Sequence, residues 1–302
     1  MEAKPFLKCA GGKRQILSEI VKRLPEPILK SKFIERYTEP FVGGGALFFH
    51  LKQHFKIKSA LLLDINEDFV LAYRVVQKNV RQLITELRKM ESKFLKLTEA
   101  DRKSYFYDIR ANFNYQRESM DFNDYNPIWI KRATWLIFLN KTCFNGLYRQ
   151  NQKGSFNVPF GRYKRPTICQ AKNLTAVNLA LRNVKIKAGD FEEATEFIND
   201  KSLVYFDPPY RPLSKTASFT AYSRLGFSDD NQVRLAQFFE KMDAKGASLI
   251  LSNSDPKNQT RDDEFFDELY SKYKIERIPA VRMINSVAEK RGKIHELLIR
   301  NY

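Results

Sequence analysis

The tetrad Asp207-Pro208-Pro209-Tyr210 directly follows the apolar run Leu203-Val204-Tyr205-Phe206, so a carboxylate and an aromatic ring sit where a buried strand ends. In open α/β sheets the ligand crevice lies beyond the carboxyl ends of the strands. Two prolines fix the backbone there, letting a carbonyl, the Asp207 carboxylate and the Tyr210 ring face one small planar group. An exocyclic amine on a flat ring fits this set. Such a nitrogen is a poor nucleophile because its lone pair is conjugated with the ring. A carboxylate and a backbone carbonyl that accept its two N–H bonds draw the pair toward an electrophile, while Tyr210 stacks on the ring. Asp207, Pro208, Pro209 and Tyr210 are therefore the candidate catalytic residues. The plainer alternative is a proline-rich turn that only ends a strand.

The elements that must position this tetrad are readable on both sides of it. A strand over 33–38 leads into Glu39-Pro40-Phe41-Val42-Gly43-Gly44-Gly45 and then into a helical stretch, 46–51. A second strand, 60–63, ends at Asp64, which begins a parallel βαβ unit of the nucleotide-binding kind. Gly43 and Gly45 let backbone approach a ligand closely. The loop lacks both a G-K-[ST] ending and the G-x-G-x-x-G spacing, which argues against triphosphates and dinucleotides. Asp64 lies about 20 residues on, where an acidic residue bonds ribose hydroxyls; a capping aspartate is the alternative. Loop and aspartate together favour an adenosine-containing cofactor. A third strand, 184–188, ends at Gly189-Asp190-Phe191. That turn offers a carboxylate and a ring to an adenine, or equally caps a helix before Glu192-Glu193.

From about Glu67 the apolar positions Val76, Val80, Leu83, Leu87 and Phe94 recur every three or four residues, as an amphipathic helix demands. Sheet character then disappears until 184. A gap of this size is too long for a loop and implies an inserted, mainly helical domain. It holds Trp129, Trp135 and a polar, aromatic and basic stretch over 140–165. After the tetrad, Ser228-Asp229-Asp230 opens a helix with Leu235, Phe239 and Met242 on one face and Gly246 past its end. A strand over 248–251 and a terminal hairpin, 275–281 with 294–299, close the chain. The expected fold is α/β. A Rossmann-like sheet domain comprises 1–68 and 170–302, and the helical domain is 69–169.

With 52 Lys and Arg against 35 Asp and Glu, the net charge of +17 points to a polyanionic partner, nucleic acid before a membrane surface. No apolar run approaches the roughly 18 residues of a membrane span, and the first residues do not begin a signal peptide. A soluble, intracellular protein is expected. Cys9, Cys143 and Cys169 are too scattered for disulfides or zinc, and His50, His54 and His295 form no ligand pattern, so no metal is expected.

Several motifs occur together and in one order. They are Phe6-Leu7-Lys8, Ala10-Gly11-Gly12-Lys13, the loop from Glu39 to Gly45, Asp64-Ile65-Asn66 and Phe144-Asn145-Gly146-Leu147-Tyr148-Arg149. Phe156-Asn157-Val158-Pro159-Phe160-Gly161-Arg162-Tyr163-Lys164, the tetrad, Pro212-Leu213-Ser214 and Phe219-Thr220-Ala221-Tyr222 follow. In this the chain resembles the D12-class DNA adenine-N6 methyltransferases, and the Dam-type members most, from Lys8 to Leu298. The resemblance implies an S-adenosylmethionine domain with an inserted target-recognition domain, and direct methyl transfer to adenine without a cysteine nucleophile. It puts Lys13, Phe41, Gly43, Asp64, Asp190 and Asp207 in or beside the cofactor site. Gly45 and Phe191 adjoin them, and Cys9 stands where Dam-type enzymes typically carry tryptophan.

An adenine inside a duplex cannot reach such a pocket, so the base must be flipped. Similar enzymes read sequence with the hairpin that here holds Asn145, Leu147, Arg149 and Pro159. Arg149 suits guanine O6 and N7, and Leu147 and Pro159 suit a thymine methyl. By resemblance Lys8 reads another guanine, Tyr163 contacts DNA, and Phe144 replaces a tyrosine at the tip that enters the opened duplex; GATC is the expected site. The basic run Lys290-Arg291-Gly292-Lys293 reads as a phosphate contact or a solvated surface. Expected partners are double-stranded DNA and a cognate restriction endonuclease acting separately on the same site, with no membrane. The expected location is the cytoplasm, at the nucleoid through DNA. Two alternatives stand beside this reading. Methylation of RNA or of a protein amide is disfavoured by Asp rather than Asn at 207. A catalytically inactive DNA-binding protein is disfavoured by the intact tetrad and glycine loop.

Overall fold

The computed structural model describes residues 2–9, 16–151, 153–211, 227–281 and 293–302. The expectations attached to Ala10-Gly11-Gly12-Lys13, to 212–214 and 219–222, and to Lys290-Arg291-Gly292 lie outside them.

Strands β1 (Phe33–Glu39), β2 (Lys56–Asp64), β3 (Val184–Ala188), β4 (Ser202–Phe206), β5 (Ser248–Ser254), β6 (Lys274–Val281) and β7 (Lys293–Arg300) form one sheet of order β3-β2-β1-β4-β5-β7-β6. The first five run parallel; β7 is antiparallel to both β5 and β6. The sequential order reverses between β1 and β4, so the loops after Glu39 and Phe206 flank the crevice where such sheets bind ligands. Burial on both faces explains the apolar runs: every residue of β4 is buried, as are Ala60 to Leu63 of β2. Leu62 faces one core, with Ile34, Tyr37 and Val76, while Leu61 and Leu63 face the other, with Val204, Phe206 and Phe239.

Two strands run past their sequence-based limits. β2 starts at Lys56, because Lys56-Ile57-Lys58 alternates across a half-covered edge and hides Ile57 alone. β5 continues through Ser252, Asn253 and Ser254, which pair with Leu298, Leu297 and Glu296 of β7. Their polarity suggests a loop, yet Ser252 and Asn253 are fully buried.

Helices α1 (Leu17–Lys22) and α2 (Glu26–Ser31) precede β1, and α3 (Ala46–His54) follows the glycine loop. Helix α4 (Glu67–Lys96) is capped by Asn66, whose side chain accepts from the Asp68 and Phe69 amides, and is interrupted at Asn79 (φ −132°, ψ 36°). Val76, Leu83, Leu87 and Phe94 are buried as the periodicity predicts. The region without strands holds α5 (Glu99–Gln116) and α6 (Ile128–Thr142). Helix α6 is apolar on nearly every side and buried, so Phe106, Trp129 and Phe138 join the core that begins under the sheet. Helices α7 (Ala171–Ala180), α8 (Asp229–Asp243) and α9 (Phe265–Leu269) complete the described set, and Ser228 caps α8 as expected.

Candidate active site and recognition hairpin

Asp64, at the end of β2, braces the glycine loop. Its Oδ2 accepts from the Gly43 amide (2.8 Å) and its Oδ1 from the Asn66 amide (2.9 Å). Enclosure raises its pKa to about 6 against the pull of these two donors. Gly43 and Gly45 both hold left-handed backbone (φ 45° and 66°), and a Cβ on Gly45 would lie 2.7 Å from the Tyr73 hydroxyl. That hydroxyl donates to the Gly43 carbonyl (3.1 Å). Cys9 lies against the loop, its Sγ 3.8 Å from where a Cβ on Gly43 or Gly44 would sit. Burial, then Asp64 and Asp207, push its thiol upward, so it stays protonated. Ile65, next to Asp64 in the chain, is 50% exposed, an apolar side chain left uncovered.

An aromatic wall continues from the loop. The Phe41 ring lies 5.6 Å from Phe191 and 5.7 Å from Phe227. Nothing in the sequence singles out Phe227, which sits in no motif. Asp190 is a helix cap in geometry. It accepts from the Glu192 amide (3.1 Å) and pairs with Arg234, whose guanidinium lies 4.5 Å over the Phe191 ring.

The tetrad leaves β4 with Pro208 buried, Pro209 exposed, and Asp207 and Tyr210 half-buried. Its frame comes from residues that no motif marked. Ser252 Oγ donates to Asp207 Oδ1 (3.4 Å), Gln232 Nε2 to the Pro209 carbonyl (3.3 Å), and the Tyr210 hydroxyl to Glu296 Oε2 (2.7 Å). Asn253 in turn donates to Gln232 Oε1 (3.2 Å) and accepts from the Arg211 amide (3.4 Å). The available signal was the run Ser252-Asn253-Ser254, polar residues on a strand that did not stop.

Glu39 is 2% exposed at the end of β1 and accepts from the Tyr37 hydroxyl (2.7 Å). Burial first, with repulsion from Asp207 and Asp64, raises its pKa from 4.5 to about 8. The native state therefore keeps a proton that the unfolded chain has released. The stability this group contributes is full below pH 4.5 and is lost as pH rises toward about 8. Glu39→Gln, which cannot ionise, should show a shallower fall of melting temperature across that window; superimposable curves for the two proteins would contradict the assignment.

The second group of candidate residues lies on the segment after α6. Antiparallel bridges Cys143↔Phe160 and Gln150↔Phe156 make 143–160 a hairpin, and the Phe144 amide donates to the Pro159 carbonyl (2.8 Å). Phe144 is 55% exposed and Asn145 adopts left-handed backbone (φ 57°). Arg149 Nε donates to Asn157 Oδ1 (2.9 Å), Leu147 is half-buried, Pro159 is exposed and Tyr163, just past the hairpin, is 36% exposed. Asn140 ties this hairpin to the N-terminal segment. Its Oδ1 accepts from the Lys8 amide (2.8 Å), and its Nδ2 donates to the carbonyls of Lys8 (2.9 Å) and Gly146 (3.1 Å). Lys8 thus joins the hairpin at Gly146, while its neighbour Cys9 lies against the glycine loop. A second tie, to helix α4, centres on the fully buried Asp68. Asp68 pairs with Arg132 (2.5 Å) and Arg117 (2.9 Å), and accepts from the Tyr148 hydroxyl (3.2 Å).

The sheet order, the tetrad at one side of the switch point and the glycine loop at the other define a Rossmann-like methyltransferase. The chain belongs to the D12 class N6 adenine-specific DNA methyltransferases, whose family model matches residues 10–284. It is 50% identical to the type II methyltransferase M.MjaIII of Methanocaldococcus jannaschii over the whole of both chains. It is 37% identical to the type II methyltransferase M1.LlaDCHI of Lactococcus lactis subsp. cremoris, covering 99% of this chain and 95% of that one. It is 34% identical to the DNA adenine methylase of Vibrio cholerae, covering 97% and 94%. The protein is therefore an adenine-specific DNA methyltransferase. No helix among the described residues is long and apolar enough to cross a membrane.

Proposed function

We propose that the enzyme moves the methyl group of S-adenosylmethionine to N6 of an adenine flipped out of duplex DNA, within GATC. The observation that carries the cofactor is the sign of charge in the crevice. In a chain of net charge +17, the carboxylates of Asp64 and Asp207 gather at the switch point closely enough that their repulsion, added to burial, keeps Glu39 beside them protonated. A ligand bearing a sulfonium and an ammonium relieves that repulsion, whereas a polyphosphate adds to it. When bound, the cofactor supplies a methyl on a positively charged sulfur. Gly43 and Gly45 give it backbone room, Ile65 and the Phe41 and Phe191 wall suit an adenine ring, and Asp64 and Asp190 suit its polar edge. Cys9 borders the same site, and the family resemblance assigns Lys13 to it.

Asp207 and the Pro208 carbonyl accept the two N–H bonds of the target amine, and Tyr210 stacks on the base, recovering part of the few kcal/mol that flipping costs. The electron pair so released would form the new N–C bond while the S–C bonding pair stays on the cofactor's sulfur, and the nitrogen would then release one proton to solvent. Residues 1–68 and 170–302 form the catalytic domain in this reading, and 69–169 the recognition domain. On the hairpin, Arg149, held at its Nε by Asn157, turns its other edge to a guanine; Lys8 reads a second guanine, Leu147 and Pro159 meet a thymine methyl, Asn145 and Tyr163 contact the duplex, and Phe144 fills the gap left by the flipped base. The type II names of two relatives support a restriction endonuclease as genetic companion, and a DNA substrate supports a place at the nucleoid.

Sequencing the methylated positions in DNA from otherwise unmethylated cells expressing the chain tests this directly. N6-methyladenine at GATC is expected; another fixed sequence would overturn the specificity alone, and its absence would overturn the whole reading. Arg149→Ala should lose about 1–3 kcal/mol of discrimination, roughly 5- to 150-fold in kcat/KM between GATC and sites changed at one guanine. An unchanged ratio would remove Arg149 from base reading.

A further inference from the structure

The core behind the tetrad contains a polar chain that the reaction as described does not use. Tyr205, on β4 two residues before Asp207, is 1% exposed, and Ser252, on the adjacent β5, is fully buried. Their hydroxyls lie 2.8 Å apart, and Ser252 Oγ lies 3.4 Å from Asp207 Oδ1. An ionised carboxylate only accepts, so the single proton of Ser252 is committed to Asp207. The bond between the hydroxyls must then be donated by Tyr205. Burial, together with the nearby Asp207, keeps the tyrosine protonated and able to donate. Hydrogen bonds aligned head to tail polarise one another, most strongly where water is absent.

We propose that Tyr205 and Ser252 are positioning residues for methyl transfer, a two-hydroxyl strut that sets the rotation of the Asp207 carboxylate against the target amine. Two observations support a role beyond filling space. A buried Tyr–Ser pair could satisfy itself with one bond, yet here the chain is continued onto the one carboxylate that touches substrate. The strut also reaches Asp207 from inside the sheet, so its geometry is fixed by the β4–β5 pairing of Tyr205 with Ile250 and Phe206 with Leu251 rather than by a loop. An amine acceptor rotated by tens of degrees still binds, but it no longer points the nitrogen lone pair at the methyl.

The inference rests on Asp207 being the amine acceptor, and the test separates the two. Tyr205→Phe, which deletes one oxygen and keeps the ring, and Ser252→Ala should each slow single-turnover methylation of duplex DNA about 5- to 20-fold. Affinity for duplex and for S-adenosylhomocysteine should stay within twofold, and the double variant should be no slower than the slower single one, since the chain acts as a unit. In an Asp207→Ala background, which removes the acceptor of the Ser252 hydroxyl, Ser252→Ala should have no further effect on rate. Wild-type rates in both single variants, multiplicative losses in the double variant, or losses matched by weakened binding would each overturn the strut. If Asp207→Asn and Asp207→Ala themselves keep wild-type rates, the failure lies instead in the assignment of Asp207.

Discussion

Asp207→Ala should lower the methyl-transfer rate at least about 10³-fold while duplex affinity changes little. The size follows from what is removed. In a dry crevice a preorganised charge aimed at a developing positive centre is worth roughly 10²- to 10³-fold for a single interaction, and Asp207 both holds the amine and stabilises the charge it acquires. Loss of its carboxylate also leaves the proton of Ser252 without its acceptor (3.4 Å in the native protein). DNA affinity is carried chiefly by cationic contacts to phosphate, which a chain with 52 Lys and Arg can supply in number, and is untouched by one half-buried acid in the crevice. Rapid-quench methylation and filter binding on the same preparation read both quantities. Turnover within tenfold of the native enzyme would remove Asp207 from the chemistry.

The second large effect concerns stability. Asp68 and Arg132 are both fully buried, and Arg132 also donates to the Phe113 carbonyl (2.9 Å) and stacks 4.0 Å over the Phe113 ring. Replacing Asp68 with Ala strands a guanidinium in the core, and breaking such a pair from one side costs about 3–5 kcal/mol. For a chain of this size that corresponds to a melting temperature lower by on the order of 6 °C. Removing both partners, as Asp68→Leu with Arg132→Met, should cost less than Asp68→Ala alone, because no uncompensated charge remains. Calorimetry on the three variants decides; an Asp68→Ala protein as stable as the native one would show the pair to be dispensable. The same carboxylate holds Tyr148, so Asp68→Ala should also raise KM for DNA more than KM for the cofactor.

The sequence made the strand ends legible and the lateral supports illegible. The apolar runs before Asp64 and Asp207 are buried on both faces and so locate the residues that follow them, while the segment before Glu39 is marked by the glycine loop it leads into. Asp64 illustrates the limit. Its position was readable, whereas its two backbone partners, Gly43 and Asn66, depend on how the loop folds back. Asp190 was equally open to ligand or cap, and the structure supplies the cap together with an unforeseen partner, Arg234, from a helix 44 residues away in sequence. Ser252, Asn253, Gln232 and Glu296 escaped notice for one reason. Each is an ordinary polar residue whose importance comes from a neighbour on another strand or helix, and the local pattern argues against burial. Lys8 and the hairpin resembled a family motif separately, but their joining through Asn140 spans 132 residues and leaves no periodic trace.

Helix α4 bears on how such enzymes can be rebuilt. Its first turns cap onto the Asp64 loop through Asn66 and carry Asp68, while its later turns, past the irregular Asn79, hold Leu83, Leu87 and Phe94 against α6. One rod therefore serves as rafter for both halves of the molecule, so exchanging recognition segments between relatives by splicing at residue 68 would transplant the rod without its socket. Asn79, where the helical ladder is already broken, is the natural seam for such grafts.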